Sequence, residues 1–194
     1  DKERLSEEAR KMQDYGAEAV VLMDSSGNYL PFDVTEKVSY LIDSLQIPVG
    51  FHAHNNLGMG IANSIAAVEA GAAIVDGCAR GFGAGAGNAQ LEVLVAVLER
   101  MGYQTGIDLY KILDASDIAE DFLMEIMPTI NSTSLVSGLS GVFAGFLKPV
   151  NRAAKEFSVD PRDLFFKLGQ RKVVAGQEDI IIEVAKLLSK ETKN

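Results

Sequence analysis

The histidines His52 and His54 are the first candidates for chemistry, because the chain contains only 2 histidines. They stand two positions apart at the end of Val49-Gly50-Phe51-His52-Ala53-His54, an apolar run that predicts a strand. Alternate residues of a strand face the same side of the sheet. Two imidazoles placed in this way can bind one divalent metal, with carboxylate, water or substrate completing its shell. The alternative is a pair of polar residues that merely ends a strand.

Asp24 and Ser25 close an earlier apolar run, residues 19–24. A carboxylate and a hydroxyl at this point could orient a metal-bound water or hydrogen-bond a substrate carboxylate. The segment Asp-Ser-Ser-Gly is also typical of a turn, because Asp and Ser side chains hydrogen-bond to nearby backbone amides. The sequence leaves both interpretations open.

The glycine-rich segment 81–88 follows a predicted strand and precedes a helix, and it satisfies the permissive G-x-G-x-x-G/A pattern. A nucleotide-binding module with a phosphate cradle is therefore an alternative function. The dinucleotide fingerprint requires a second strand that ends in an acid about 20 residues later, and this chain lacks one. Asn88 could also cap the following helix. Cys78, the single cysteine, lies in the preceding apolar run and is interpreted as a small buried hydrophobe.

Three strand patterns, at 19–24, 49–54 and 73–78, alternate with helical patterns. Consecutive βα units build a barrel or a doubly wound sheet, and both place their sites at the carboxyl ends of the strands. After about residue 108 the strand patterns stop, and we expect helices over 109–127, 139–157 and 180–188, with a Ser/Thr-rich connection at 132–140. The sequence thus predicts an α/β part, residues 1–117, followed by a helical part, residues 118–194.

The amino-acid composition limits the classes of partner that this chain is expected to bind. The chain has 194 residues and a formal net charge of -9, opposite in sign to a general binder of nucleic acids or anionic membranes. One cysteine excludes an internal disulfide framework and suits the cytoplasm, and no apolar run approaches the roughly 20 residues of a membrane span. Because the sequence begins without Met on charged residues, we expect it to be part of a larger chain.

Several motifs together resemble the metal-dependent aldolase and lyase barrel superfamily, which includes 3-hydroxy-3-methylglutaryl-CoA lyase and 2-isopropylmalate synthase. Within it, the chain resembles the 4-hydroxy-2-oxovalerate aldolases. The resemblance implies the C-terminal portion of a (β/α)8 TIM barrel, followed by an all-helical C-terminal domain. The motifs that carry it are Asp24-Ser25, residues 49–57, residues 83–89, Gly141-Val142-Phe143, Leu168-Gly169-Gln170-Arg171 and residues 174–182.

The resemblance also implies a site. His52 and His54 would ligate a divalent metal, usually manganese, with magnesium or cobalt as alternatives, and Asn88 would lie at or near it. Ser25 and His52 would contact a 2-oxo acid substrate, with Asp24 nearby, and Phe143 replaces a tyrosine that lies near the substrate in the best-known aldolases. The implied reaction cleaves 4-hydroxy-2-oxovalerate to pyruvate and acetaldehyde.

Essential parts of the family's site have no counterpart in this sequence. The family's general base, a histidine, and its Arg-Asp pair belong to the N-terminal part of the barrel, so we expect no catalytic residue here and no activity from the chain alone. The resemblance further implies a cytoplasmic oligomer whose C-terminal region docks an acylating acetaldehyde dehydrogenase, which receives the aldehyde through a channel. The alternatives are an acyl-CoA enzyme like the lyase or the synthase, although the lyase's loop cysteine is absent, and a non-catalytic docking domain.

Overall fold

The computed structural model describes residues 2–191. Helices and strands alternate up to Arg100, and helices alone follow. In chain order the elements are α1 (Lys2–Asp14), β1 (Val20–Asp24), α2 (Pro31–Ser44), β2 (Val49–Ala53), α3 (Gly60–Glu69), β3 (Ile74–Val75), a 3₁₀ turn (Ala79–Gly81), α4 (Leu91–Arg100), α5 (Leu109–Leu123), α6 (Ser132–Leu139), a second 3₁₀ turn (Ala144–Phe146), α7 (Leu147–Phe157), α8 (Pro161–Gln170) and α9 (Glu178–Glu191).

The three strands form one parallel sheet in the order β1-β2-β3. This confirms the predicted βα units, and the consecutive order is that of a barrel segment. Asp24 lies opposite Ala53, and Phe51 lies opposite Val75, so the carboxyl ends of the strands meet at one edge. The residues that follow each strand are therefore brought together.

One face of the sheet is covered by helices and the other is open. The apolar stripe of α2, with Val34, Val38 and Leu41 fully buried, packs with Leu22 and Phe51 in the first hydrophobic core. Pro31 starts α2 at its first position, where a missing N–H costs no hydrogen bond. Alternate strand positions on the opposite face, Val21, Met23 and Ile74, are 39%, 55% and 41% exposed. Within residues 2–191 nothing buries this apolar face, although parallel sheets are normally covered on both sides.

The third strand is shorter than predicted, because the chain leaves the sheet after Val75. A side chain at Gly77 would meet the Ala89 carbonyl oxygen at 2.8 Å. Cys78 instead pairs with the segment before α4, where its N–H donates to Ala89 O (2.9 Å) and its carbonyl accepts from Leu91 N (2.9 Å). The prediction that Cys78 lies within the strand is therefore wrong, and its side chain is half-buried.

The helical part has a second core, formed by Val142, Phe146, Val150 and residues of α8 and α9. The Ser/Thr-rich segment predicted as a connection is mostly α6, because the Asn131 side chain accepts from Thr133 N and Ser134 N and so caps a helix there. The predicted helix over 139–157 is interrupted by a turn, and α7 begins only at Leu147. Similarly, α5 ends at Leu123 rather than near 127.

Backbone and side-chain contacts join the two parts next to β1. The Asn28 side chain donates to the Gly138 carbonyl (2.8 Å), and Ala144 N donates to the Ser25 carbonyl (2.9 Å). The turn after β1 is thus held against α6 and the second 3₁₀ turn. Within residues 2–191, no helix combines the length and apolar composition that crossing a membrane requires.

Replacing Asp160 by alanine should lower the free energy of unfolding by about 1 kcal/mol at about pH 7, because its carboxylate caps α8 by accepting from Arg162 N (2.8 Å). Hydrogen bonds from the Arg162 side chain and backbone lower the Asp160 pKa from 3.8 to about 2. The stabilisation is thus present above pH 3.8 and lost as the pH falls through about 2. Urea unfolding of the parent chain and of Asp160→Ala at about pH 7 and about pH 2 measures the stabilisation. An equal difference in unfolding free energy at the two pH values would contradict the prediction.

Candidate active site

The two histidines lie together at the carboxyl edge of the sheet. β2 ends at Ala53, and His54 continues the chain into an isolated antiparallel bridge with Asn88. The centroids of the His52 and His54 rings are 5.3 Å apart, with an interplanar angle of 76°. The period-two spacing therefore brings the rings to one side, as the strand pattern predicted.

His52 is oriented by Asp76, a residue that the sequence analysis did not select. Its Nδ1 lies 2.6 Å from an Asp76 carboxylate oxygen. A carboxylate that accepts from one ring nitrogen fixes the tautomer and leaves the other nitrogen free to bind a metal. The sequence contained a clue to this role, because Asp76 directly follows the third predicted apolar run's core, Ile74–Val75. The β2–β3 register then places Asp76 at the same edge as His52.

His54 and Asn88 both carry a buried polar atom without a partner. His54 is 9% exposed and Asn88 is 8% exposed, and neither His54 Nδ1 nor Asn88 Oδ1 accepts or donates a hydrogen bond within the part of the chain that the structure describes. Burial lowers the pKa of His54, the nearby His52 lowers it further, and a hydrogen bond with the Ala84 backbone opposes both. A buried neutral imidazole is the form that binds metals.

These donors fit a divalent cation. Unpartnered buried polar atoms are uncommon in folded proteins, and a bound ion is one kind of partner that satisfies them. Two imidazoles and an amide oxygen are ligand types that first-row divalent metals accept. Among residues 2–191, no three His, Cys, Asp or Glu side chains converge into a site, and the amide oxygen of Asn88 offers a third donor beside the two histidines.

Asn88 does not cap α4, contrary to one of the two predicted roles. The N-cap of α4 is Gln90, two residues later. The Asn88 side-chain nitrogen instead donates to Cys78 Sγ (3.1 Å) and to the Phe82 carbonyl (3.0 Å). The amide therefore belongs to the site edge and not to the helix terminus.

Asp24 serves the turn that follows β1. It is 1% exposed, and its carboxylate accepts from the backbone N–H groups of Asn28 and Tyr29, both at 3.0 Å, and from the Ser26 hydroxyl at 3.5 Å. Burial raises the pKa of Asp24, and these hydrogen bonds oppose the rise. These contacts favour the turn interpretation for Asp24. Ser25 is half-buried at the same edge, and its carbonyl is held by Ala144.

Asn56 joins the loops of the site, a role that sequence reasoning missed. It is fully buried, its side-chain nitrogen donates to Ser26 O (2.9 Å), and its oxygen accepts from Ala86 N (2.8 Å). The loop after β1 and the glycine-rich loop are thus tied to one side chain. The sequence shows only that Asn55-Asn56 follow the strand that carries the histidines. The partners of Asn56, Ser26 and Ala86, lie 30 residues before it and 30 residues after it.

The glycines of segment 81–88 make room for this chain's own side chains rather than for a phosphate. A Cβ at Gly83 would lie 2.4 Å from the Asn88 side-chain nitrogen, and a Cβ at Gly85 would lie 2.4 Å from the Asn56 oxygen. The N–H groups of Ala86, Gly87 and Asn88 are all used within the protein. A phosphate cradle needs free amides that point at the ligand, so the geometry disfavours the nucleotide-binding alternative.

Phe143 lies at the junction with the helical part. Its ring packs edge-on against Phe146, with centroids 5.6 Å apart, and contacts the second core. A Cβ at Gly145 would lie only 2.4 Å from the Phe143 ring, which shows how closely the ring covers this turn.

Replacing Asp76 by asparagine should weaken Mn²⁺ binding by about 10-fold, the lower end of the range for carboxylates that orient metal-binding histidines. The low end is expected because the Asp76 side chain is 51% exposed. Calorimetric titration of both proteins measures this, with Asp43→Asn on the exposed side of α2 as the charge-matched control. Equal Mn²⁺ affinities of the Asp76 and Asp43 variants would contradict the orienting role.

Two family models match the chain. The model described as HMGL-like matches residues 1–119, and the model described as DmpG-like communication domain matches residues 128–190. The first match covers more than half of the chain.

Curated relatives share high sequence identity with this chain. A 4-hydroxy-2-oxovalerate aldolase from Pectobacterium atrosepticum is 64% identical over 98% of this chain and 55% of its own length. Another, from Spirochaeta aurantia, is 68% identical over 94% of this chain and 53% of its own length. The chain thus spans about half the length of these relatives.

The fold is also found in a solved structure. The carboxyl transferase domain of pyruvate carboxylase from Rhizobium etli matches 98% of this chain and 34% of that chain, with a TM-score of 0.81. The sequence identity is 18%, so this likeness concerns the fold alone.

Proposed function

The chain belongs to the HMGL-like family, and from this premise we propose that it is part of a divalent-metal-dependent aldolase. The whole enzyme would cleave a 4-hydroxy-2-oxo acid, such as 4-hydroxy-2-oxovalerate, to pyruvate and an aldehyde such as acetaldehyde. The observation that carries the proposal is the 64% identity, over 98% of this chain, to a 4-hydroxy-2-oxovalerate aldolase.

We propose His52, His54 and Asn88 as the groups that hold the metal, with manganese as the first choice and magnesium or cobalt as alternatives. Two observations support them: the short His52–Asp76 contact and the unpartnered buried atoms of His54 and Asn88. When bound, a divalent metal supplies Lewis-acid polarisation of the substrate's keto oxygen.

The remaining site residues are proposed to contact the 2-oxo acid. Ser25 offers a hydroxyl at the same edge as the histidines, and Asp24 shapes the turn that presents it, through its bonds to Asn28 and Tyr29. Phe143 lacks the hydroxyl of the family's tyrosine, so it can limit the site by its bulk but cannot donate a hydrogen bond.

The general base and the Arg-Asp pair of the family are proposed to come from the half of the enzyme that this chain does not include. This chain contains no histidine beyond the proposed ligands. The open face formed by Val21, Met23 and Ile74 fits a barrel whose other strands come from that half. Residues 1–194 alone are therefore expected to be inactive.

A chimera tests the proposal. The residues that precede the matched region of the Pectobacterium atrosepticum relative are fused to this chain, and pyruvate release from 4-hydroxy-2-oxovalerate is measured with and without Mn²⁺. We expect Mn²⁺-dependent turnover from the chimera and none from this chain alone or from the chimera with His54→Ala. A folded chimera without turnover would refute the proposed activity, and turnover by this chain alone would refute its dependence on the missing half.

We further propose the division into a barrel part, residues 1–117, and a helical docking part, residues 118–194. The two separate hydrophobic cores support a division, although α5 crosses this boundary. The match of residues 128–190 to a communication domain implies a partner, and we propose an acylating acetaldehyde dehydrogenase, in a cytoplasmic oligomer.

A further inference from the structure

The sulfur of Cys78 contacts the side chain of Asn88. The Asn88 nitrogen donates to Cys78 Sγ at 3.1 Å and to the Phe82 carbonyl oxygen at 3.0 Å. Both hydrogens of this NH₂ group therefore have an acceptor. The other end of the same amide, Oδ1, is buried and without a partner in the described part of the chain.

The two ends of an asparagine amide have nearly the same size, so hydrogen-bond partners decide which end points where. If the amide were rotated by 180°, its oxygen would face the lone pairs of the Phe82 carbonyl, and Sγ would have to turn its weak S–H donor toward that oxygen. Its NH₂ group would then occupy the place of Oδ1 and would repel a cation. The Phe82 carbonyl thus disfavours the rotated amide, and the sulfur, as the second acceptor, holds the NH₂ group in the orientation in which an oxygen is offered.

The backbone fixes the sulfur and the amide relative to one another. Cys78 is held on both sides, by its N–H to Ala89 O and by its carbonyl to Leu91 N, both at 2.9 Å. Asn88 is held by its N–H to the Gly81 carbonyl at 2.9 Å and by its bridge to His54. Backbone hydrogen bonds therefore anchor both residues of the contact.

We propose that Cys78 is a positioning residue for the metal site: its sulfur, with the Phe82 carbonyl, holds the Asn88 amide so that Oδ1 is presented beside His54. This inference rests on the proposed metal-binding function and adds a role for the single thiol. It replaces the sequence-based interpretation of Cys78 as a buried hydrophobe.

The test is Mn²⁺ titration of the 194-residue chain and its variants by calorimetry. Cys78→Ala removes the acceptor and should weaken Mn²⁺ binding by about 3- to 10-fold, the range of one hydrogen bond. Cys78→Ser restores a small acceptor and should bind within about 2-fold of the parent chain. Cys78→Val, which lacks an acceptor at greater volume, replaces Cys78→Ala if thermal unfolding shows that the smaller side chain does not fold.

A double-mutant cycle separates positioning from general damage. In an Asn88→Ala background, Cys78→Ala should cause no further loss, because the amide it positions is gone. An equal loss in both backgrounds, or unchanged binding by Cys78→Ala, would overturn the inference. If His54→Ala abolishes binding while Cys78→Ala does not affect it, the positioning role alone fails. If His54→Ala also leaves binding unchanged, the proposed metal site itself fails.

Discussion

Replacing His54 by alanine should lower the Mn²⁺ affinity of the chain by at least about 100-fold, more than the loss of a residue that only orients a ligand. The physical reason is that His54 offers a buried nitrogen, next to the buried oxygen of Asn88, and neither atom has a hydrogen-bond partner among residues 2–191. Few other donors could replace it, because no cluster of three His, Cys, Asp or Glu side chains exists within residues 2–191. Calorimetry and the electron paramagnetic resonance signal of free Mn²⁺ both measure the loss.

Ser25→Ala is the matched control for this experiment. Ser25 lies at the same edge of the sheet but is proposed to contact the substrate rather than the metal, so its removal should leave Mn²⁺ affinity within about 2-fold, less than one hydrogen bond. Circular dichroism of each metal-free variant shows whether the fold is retained. Retained Mn²⁺ binding by a folded His54→Ala variant would reject the assignment of the metal site.

Replacing Gly87 by alanine should lower the free energy of unfolding by at least about 3 kcal/mol. Gly87 has φ +89°, and a Cβ there would lie 2.2 Å from the Gly81 carbonyl oxygen and 2.8 Å from the Pro128 Cβ. The loop cannot easily move away, because the Gly81 carbonyl accepts from Asn88 N and the Gly87 carbonyl accepts from Asn55 N. Relief of the clash would therefore break bonds that hold the site.

Gly102→Ala provides the comparison. Its φ of +91° is almost the same, but no neighbouring atom of residues 2–191 lies within 4 Å of the added Cβ, so only the left-handed conformation is penalised, by about 1–2 kcal/mol. Urea unfolding of both variants measures the difference, which isolates the clash. Equal destabilisation of the two variants would show that the loop around Gly87 adapts without cost.

Whether a helix or strand could be predicted depends on how far apart in the sequence the residues that determine it lie. The three strands and the helices between them were recognisable, because each is encoded by a hydrophobic period within one short window. The end of β3 and the start of α7 were not, since Cys78 pairs with the segment before α4 and α7 is preceded by a turn whose Phe146 belongs to the second core. The Ser/Thr-rich segment predicted as a connection forms α6 instead, because Asn131 caps its N-terminus.

For the candidate site, the sequence determined the side-chain types and the edge at which they lie. The spacing of His52 and His54 placed both rings on one side, because side chains of a strand alternate with a period of two. The strand–loop order placed them at the carboxyl edge, where parallel strands bring their following residues together.

Only the tertiary structure decided which of these residues meet. The register of β2 and β3 brings Asp76 to His52, and the bridge at His54 brings Asn88 and the Cys78 sulfur to the same place. Asn56 connects two loops that are 30 residues from it in the sequence. Such contacts arise from strand register and from loops closing over glycines, and no local pattern encodes them because the partners are distant in sequence.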